Sequence, residues 1–180
     1  MKKLLVLVIC LVAILPSVVS QLNISVNTKN LQKFVVKTCK PCTIKEVGVD
    51  KTINTPLQGK FFYINKSKTP IEYAYIGRVN SCRADGCDIN GNKNGVFEYF
   101  DYFVIFNLDY QITKITIFNY QATHGHEVCA PTWLKQFYGY NGEKKLVVGK
   151  DIDAISGATT SVNSFTTDIQ EVCKQVRFIK

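Results

Sequence analysis

A chain of 180 residues suffices for one compact domain and is too short for two. Its 22 Lys and Arg against 14 Asp and Glu give a formal charge of +8, yet no basic run exceeds a pair. Charge scattered in this way marks a solvated surface and excludes a nucleic-acid stripe. Anionic lipid, an acidic partner or a phosphate-bearing ligand stay compatible with it.

Residues 1–20 stand apart from the domain. Lys2 and Lys3 precede an almost unbroken apolar run over residues 4–15, and Pro16, Val18 and Ser20 follow ahead of Gln21. A basic start, an apolar centre and small residues before a cut make a cleaved secretory signal, ending near Ser20-Gln21. An uncleaved anchor is the competing reading, but the run falls short of the roughly 20 residues that span a bilayer. Losing Lys2 and Lys3 takes the formal charge from +8 to +6. The mature chain is expected outside the cytoplasm, in the periplasm or cell envelope, with any membrane association made through a partner.

Cys39, Cys42, Cys82, Cys87, Cys129 and Cys173 remain after cleavage. An even count in an exported chain argues for disulfides, with connectivity open. Cys82 and Cys87 can close a small turn. Cys39-Lys40-Pro41-Cys42 has the spacing of a redox dithiol. No thioredoxin-like βαβ pattern surrounds it, which favours a structural pair, each cysteine bonded elsewhere.

In chain order, Leu31, Phe34 and Val35 at helical spacing predict a short helix over residues 30–37. Phe61-Phe62-Tyr63-Ile64 and residues 73–79 are aromatic and β-branched and read as strands. Residues 80–95 form a polar loop. Its Asp88, Asn90, Asn92 and Asn94 alternate as in a calcium loop, but Lys93 stands where such a loop needs glycine, so a plain hairpin loop is expected. Residues 97–106 and 112–118 read as an antiparallel hairpin across a polar gap. A short helix over residues 131–138 would carry Pro131 in its first turn.

Val162, Phe165, Ile169, Val172, Cys173 and Val176 then make one apolar stripe on a helix of about four turns, with Asn163, Thr166, Thr167, Gln170 and Lys174 toward water. The class is α+β: a mainly antiparallel sheet of four or five strands with helices packed on it and an amphipathic C-terminal helix. The chain divides into a signal (1–20), an extension with the CxxC (21–59) and the main domain (60–180).

Directly before the last helix stands Asp151-Ile152-Asp153-Ala154-Ile155-Ser156-Gly157-Ala158-Thr159-Thr160-Ser161. Gly157 lets the backbone bend or a ligand approach, and Ala158 keeps the surroundings small. Thr159, Thr160 and Ser161 set three hydroxyls beside the unpaired N–H groups of a helix start, where phosphate is attracted. A plain alternative is that Thr160 or Ser161 caps the helix.

The run Asp153-Ala154-Ile155-Ser156-Gly157-Ala158-Thr159 resembles the D-x-x-[S/T]-G-A-T signature of FMN-binding domains, found in subunits of the sodium-pumping quinone reductase and the Rnf complex. The resemblance implies FMN held covalently, through a phosphoester on the hydroxyl of Thr159. It also implies a Mg²⁺-dependent flavin transferase that cuts FAD and recognises Asp153, Ser156, Gly157 and Ala158, with Thr160 adjoining. Upstream, Ala122-Thr123-His124-Gly125-His126-Glu127 is similar to the family's E-T-P-G-x-G. Thr123 and Gly125 match, while Ala122, His124 and Glu127 depart. Tyr120 and Trp133 are the expected neighbours of the flavin ring, and His124 or His126 is expected to line its pocket. Metal binding by His124, His126 and Cys129 would need further ligands.

The resemblance thus implies an electron carrier rather than a stand-alone enzyme, exchanging electrons with a membrane or periplasmic redox partner. Two readings remain beside it: a disulfide-stapled binding module with FMN held loosely or not at all, and a reductase with its own small substrate.

Overall fold

The aromatic and β-branched runs pair in chain order. The computed structural model describes residues 27–50, 57–67, 69–83 and 97–179. Within them β1 (Cys42–Val47), β2 (Gly59–Lys66), β3 (Thr69–Arg83), β4 (Phe97–Phe106) and β5 (Ile112–Phe118) form an antiparallel sheet of order β1-β2-β3-β4-β5. The α+β class and the central hairpin are as expected. The expected leader, the calcium-like alternation and Cys87 lie outside the described residues. Among the described residues, no helix is long and apolar enough to cross a membrane.

The two faces of the sheet carry separate cores. On one, Leu31 and Val35 of α1 (Lys29–Thr38) cover Phe62, Ile64, Ala74, Ile76, Phe103 and Ile105. On the other, α3 (Thr159–Gln175) lays its apolar stripe on Phe61, Tyr75, Phe100, Tyr102 and Val104, flanked by α2 (Pro131–Leu134). Residues 100–106 of β4 are buried throughout because they serve both cores. The period-two alternation of side chains sends successive residues to opposite layers, so a strand covered on both sides reads as a continuous apolar run. Pro131 sits in the first turn of α2, where its missing N–H costs nothing.

Three expectations are corrected. Cys39 and Cys42 are bonded to each other, not elsewhere, and staple the end of α1 to the first residue of β1. Their half-exposed position at the sheet edge makes this a local clasp. Cys129 and Cys173 are free thiols, so the even cysteine count does not pair them. Thr166, expected toward water, is 3 % exposed with no partner for its hydroxyl. The segment after α2 closes over that flank of α3. The backbone N–H of Leu146 donates to Gln170 Oε1 at 2.8 Å, which leaves Gln170 half-buried as well.

A polar clasp joins α3 to the sheet: the Tyr102 hydroxyl donates to Asp168 Oδ2. Burial pushes the Asp168 carboxyl up to about 6, with the Tyr102 bond opposing and Glu171 adding to the rise. The folded state therefore holds the proton more tightly than the unfolded chain. The cost is absent below about pH 4, grows as pH rises to about 6, and is complete above that. Asp168→Asn keeps an acceptor for Tyr102 and removes the charge. At pH 7 it is expected to stabilise the fold by about 3 kcal/mol, and at pH 4 by almost nothing. Urea unfolding of both proteins at the two pH values checks this. Equal midpoints at pH 7 would remove the buried-charge account.

Candidate functional site

The turn before α3 is held from both sides. Ile152 is buried and anchors the segment. At the next residue the backbone N–H of Asp153 donates to Gln136 Oε1 at 2.8 Å, and Asp153 O accepts from Trp133 Nε1 at 2.9 Å. The Asp153 carboxylate itself is exposed. Trp133, expected beside the flavin ring, is 6 % exposed and packed against Phe137 and Phe165. Its indole N–H holds the backbone where the signature begins. Neither this role nor that of Gln136 was visible in the sequence, since both act through backbone atoms of a distant segment.

From Asp153 the chain runs out over exposed Ala154 and half-buried Ile155, then turns back. The Ala158 N–H closes the turn on Ile155 O at 3.1 Å, with Gly157 at φ +78°. A Cβ at Gly157 would meet nothing within 4 Å, so glycine serves the left-handed backbone and not a close approach. Ser156 and Gly157 are exposed, whereas Ala158 is 3 % exposed and occupies the N-cap position of α3.

Neither Thr160 nor Ser161 caps the helix, contrary to the alternative raised by the sequence. No side-chain cap bond is made, because the cap residue is alanine and the helix already begins at Thr159. Thr159 is thus the first helical residue, and it is exposed. Thr160 is half-buried, and Ser161 points inward, its Oγ 2.6 Å from Ser81 Oγ of β3. Of the three, only Thr159 is exposed.

The segment around Thr123 and Gly125 packs directly on this turn. Gly125 is buried at φ +84°, and a Cβ there would lie 3.0 Å from Ser161 Oγ and 3.1 Å from Ala158 Cβ. Glycine is required twice, for the backbone and for the space. Tyr120 ties the same segment down by donating its hydroxyl to His124 O at 2.5 Å while its ring stacks on Phe100 at 5.5 Å. His126 meets the Tyr120 ring edge-on at 5.1 Å. The Thr123 hydroxyl donates to Glu98 at the start of β4. The structure therefore gathers Thr123, Gly125, Ser156, Gly157, Ala158, Thr159 and Thr160 around one helix start, with Tyr120 on its rim and Asp153 at the entry to the turn.

Gly125→Ala is expected to destabilise the fold by about 2 kcal/mol, combining left-handed strain with overpacking against Ala158. A chemical-denaturation midpoint within error of the parent would show that this segment does not bear on the helix start.

Burial, with Glu127 adding, pushes the Cys129 thiol up to about 11, which keeps it protonated and a poor metal ligand at neutral pH. Among the described residues, no three His, Cys, Asp or Glu side chains converge as a metal site.

This arrangement suits a phosphate ester. An exposed hydroxyl stands at the positive end of a helix of 17 residues, in a turn whose neighbours are glycine and alanine. Residues 99–174 match the family model of the FMN-binding domain, a span that runs from β4 into the last turns of α3. All the gathered residues lie within it. A search of the curated proteins finds no match.

Proposed function

We infer, from the premise that residues 99–174 are an FMN-binding domain, that the chain is an electron carrier holding FMN by a phosphoester on Thr159. One observation carries the reading: the Thr159 hydroxyl is exposed at the first position of α3, in a turn of small residues within the matched span.

In the step that loads the carrier, Thr159 Oγ1 gives up its proton and bonds to the FMN-side phosphorus of FAD. The pyrophosphate bond breaks and AMP leaves. A separate Mg²⁺-dependent transferase performs the step, and the chain contributes its presentation of the nucleophile. Gly157 sets the turn, Ala158 clears the space beside it, and the Trp133 and Gln136 bonds to the Asp153 backbone fix where the turn begins. The helix start then faces the bound phosphate with its partial positive charge.

Bound there, FMN supplies one- and two-electron chemistry through its isoalloxazine ring. The tether leaves the ring end to be positioned by the protein. Tyr120, His124 and His126 on the adjoining rim are the residues assigned to that end. Export makes a tether useful, because a dissociating cofactor dilutes away outside the cell while a tethered one stays at an effective concentration of about millimolar. The donor and acceptor are a membrane or periplasmic redox partner.

Co-expression with an FAD-dependent flavin transferase tests the reading. After denaturing electrophoresis the band is expected to fluoresce as flavin, and chelating Mg²⁺ during loading is expected to abolish the signal. A dark band, beside a control substrate that the same transferase labels, would contradict covalent attachment.

A further inference from the structure

The positive charge of the chain is concentrated at one end of the sequence. Seven lysines lie within residues 1–45, a stretch without a single Asp or Glu, so residues 46–180 hold 15 cations against 14 anions. Without Lys2 and Lys3 the excess of +6 divides into +5 on residues 21–45 and +1 on the rest. Spacing along the chain conceals this, because Lys29, Lys33, Lys37 and Lys40 stand three or four residues apart.

Folding brings them together. α1 turns Leu31 and Val35 onto the sheet, and the helical period carries Lys29, Lys33 and Lys37 to the opposite side as one row. Lys40 follows just beyond the helix end. All four are exposed, and Val36 beside them is 53 % exposed. The disulfide between Cys39 and Cys42 fastens the end of α1 to β1, which fixes the row to the sheet.

The row has no counter-charge among the described residues. The helix itself contains no acidic residue. By strand alternation the sheet face beneath α1 carries Glu46, Glu72 and Asp101. Glu46 pairs with Lys60 at 2.9 Å and Asp101 with Arg78 at 2.7 Å, which leaves only the half-buried Glu72. Lysines at i and i+4 repel one another, and a lysine in the first turn opposes the helix dipole. The arrangement works against the isolated helix and suits an anionic surface outside it.

The residue types favour one kind of anionic surface. Protein interfaces enrich arginine and aromatic side chains and deplete lysine. The outward side of α1 carries neither arginine nor an aromatic residue. Lysine stems that carry charge to headgroups, with an apolar side chain between them, are the pattern of a helix lying on a membrane. We propose that α1 docks the protein on an anionic phospholipid surface through Lys29, Lys33, Lys37 and Lys40, with Val36 at the level of the headgroups. Because α1 and α3 lie on opposite faces of the sheet, docking in this way keeps the Thr159 turn clear of the lipid. The proposal goes beyond the flavin reading and stands without it.

The test is flotation of the protein from Gln21 onward, without flavin, on phospholipid vesicles. It is expected to float with mixed phosphatidylcholine and phosphatidylglycerol at about 0.05 M salt, to be released at about 0.5 M, and to stay behind with pure phosphatidylcholine. Each lysine near such a surface strengthens binding about fivefold, so Lys29→Gln, Lys33→Gln and Lys37→Gln together are expected to weaken it about a hundredfold. The same exchange at Lys135, Lys145 and Lys150, exposed between α2 and α3, is expected to weaken it less than about threefold. Circular dichroism checks that both triple variants fold. Should the α1 variant fail to fold, Lys33→Gln alone, with an expected loss of about fivefold, and the salt dependence carry the decision. Equal flotation with pure phosphatidylcholine, equal losses in two folded triple variants, or no flotation with phosphatidylglycerol at low salt would each overturn the proposal. So would tighter binding to polyglutamate than to the vesicles, which would make an acidic protein the partner.

Discussion

Thr159→Ala is expected to yield a protein with no covalent flavin at all, while Thr160→Ala keeps the full load. The two side chains are adjacent in sequence but not equivalent in space. Thr159 is exposed as the first helical residue, whereas Thr160 is half-buried. Removing the Thr159 hydroxyl deletes the only atom that the ester reading uses. The fold has little stake in it, since the N-cap is Ala158 and no side-chain cap bond is made. Alanine is also the better helix former, so unfolding is expected to move by less than about 0.5 kcal/mol. In-gel flavin fluorescence and a denaturation curve on the same preparations check both halves. Flavin retained by Thr159→Ala and lost by Thr160→Ala would move the attachment point by one residue.

Phe165→Ala carries the largest expected loss of stability. Its ring is fully buried at the centre of the core beneath α3, with Tyr102 edge-on at 5.1 Å, Phe137 edge-on at 5.5 Å, and Phe100 and Trp133 each at 5.9 Å. Four surrounding rings cannot collapse into the space without leaving the positions set by the sheet and by α2. The lost transfer energy and the cavity together cost about 4 kcal/mol. Trp133 also holds the Asp153 carbonyl, so the cavity would loosen the turn that presents Thr159. Urea unfolding is expected to show the full cost, and flavin loading under fixed transferase conditions is expected to fall with it. A loss below about 1 kcal/mol would mean that the rings close over the gap and that this core is softer than its packing implies.

Much of the architecture was legible because one periodicity dominated each segment. The runs in β2 to β5 are aromatic and β-branched, and the α3 stripe repeats at helical spacing. β1 was not foreseen. Its Cys42-Thr43-Ile44-Lys45-Glu46-Val47 carries two charges and lies at the sheet edge, with no fully buried position to give a clear alternation. Thr166 was misplaced because a single-helix wheel does not include the segment that later closes over its flank. The disulfide escaped because spacing marks two cysteines as neighbours without saying whether they bond each other.

The candidate site was legible in part for a different reason. Its signature is contiguous, so Gly157, Ala158 and Thr159 could be read as one turn and one helix start. Gly125 could be read only as a weak second match. The contact that brings it onto Ala158 and Ser161 is made by the sheet, which carries residues far apart in sequence to the same end of α3. Trp133 and Gln136 were beyond sequence reading, because their polar atoms serve the backbone of Asp153 and nothing in the residue types records that. The clasp between Tyr102 and Asp168 belongs to the same class, a pairing that exists only once strand and helix are packed.

The most direct test is a mass measurement on the protein purified from cells that make the transferase. Trypsin cleaves after Lys150 and Lys174, so a single peptide carries the whole turn and the start of α3. That peptide is expected to be heavier by FMN less one water, with fragmentation placing the addition on Thr159. A peptide of unmodified mass from cells with proven transferase activity would contradict the assignment of this chain as a covalent flavin carrier.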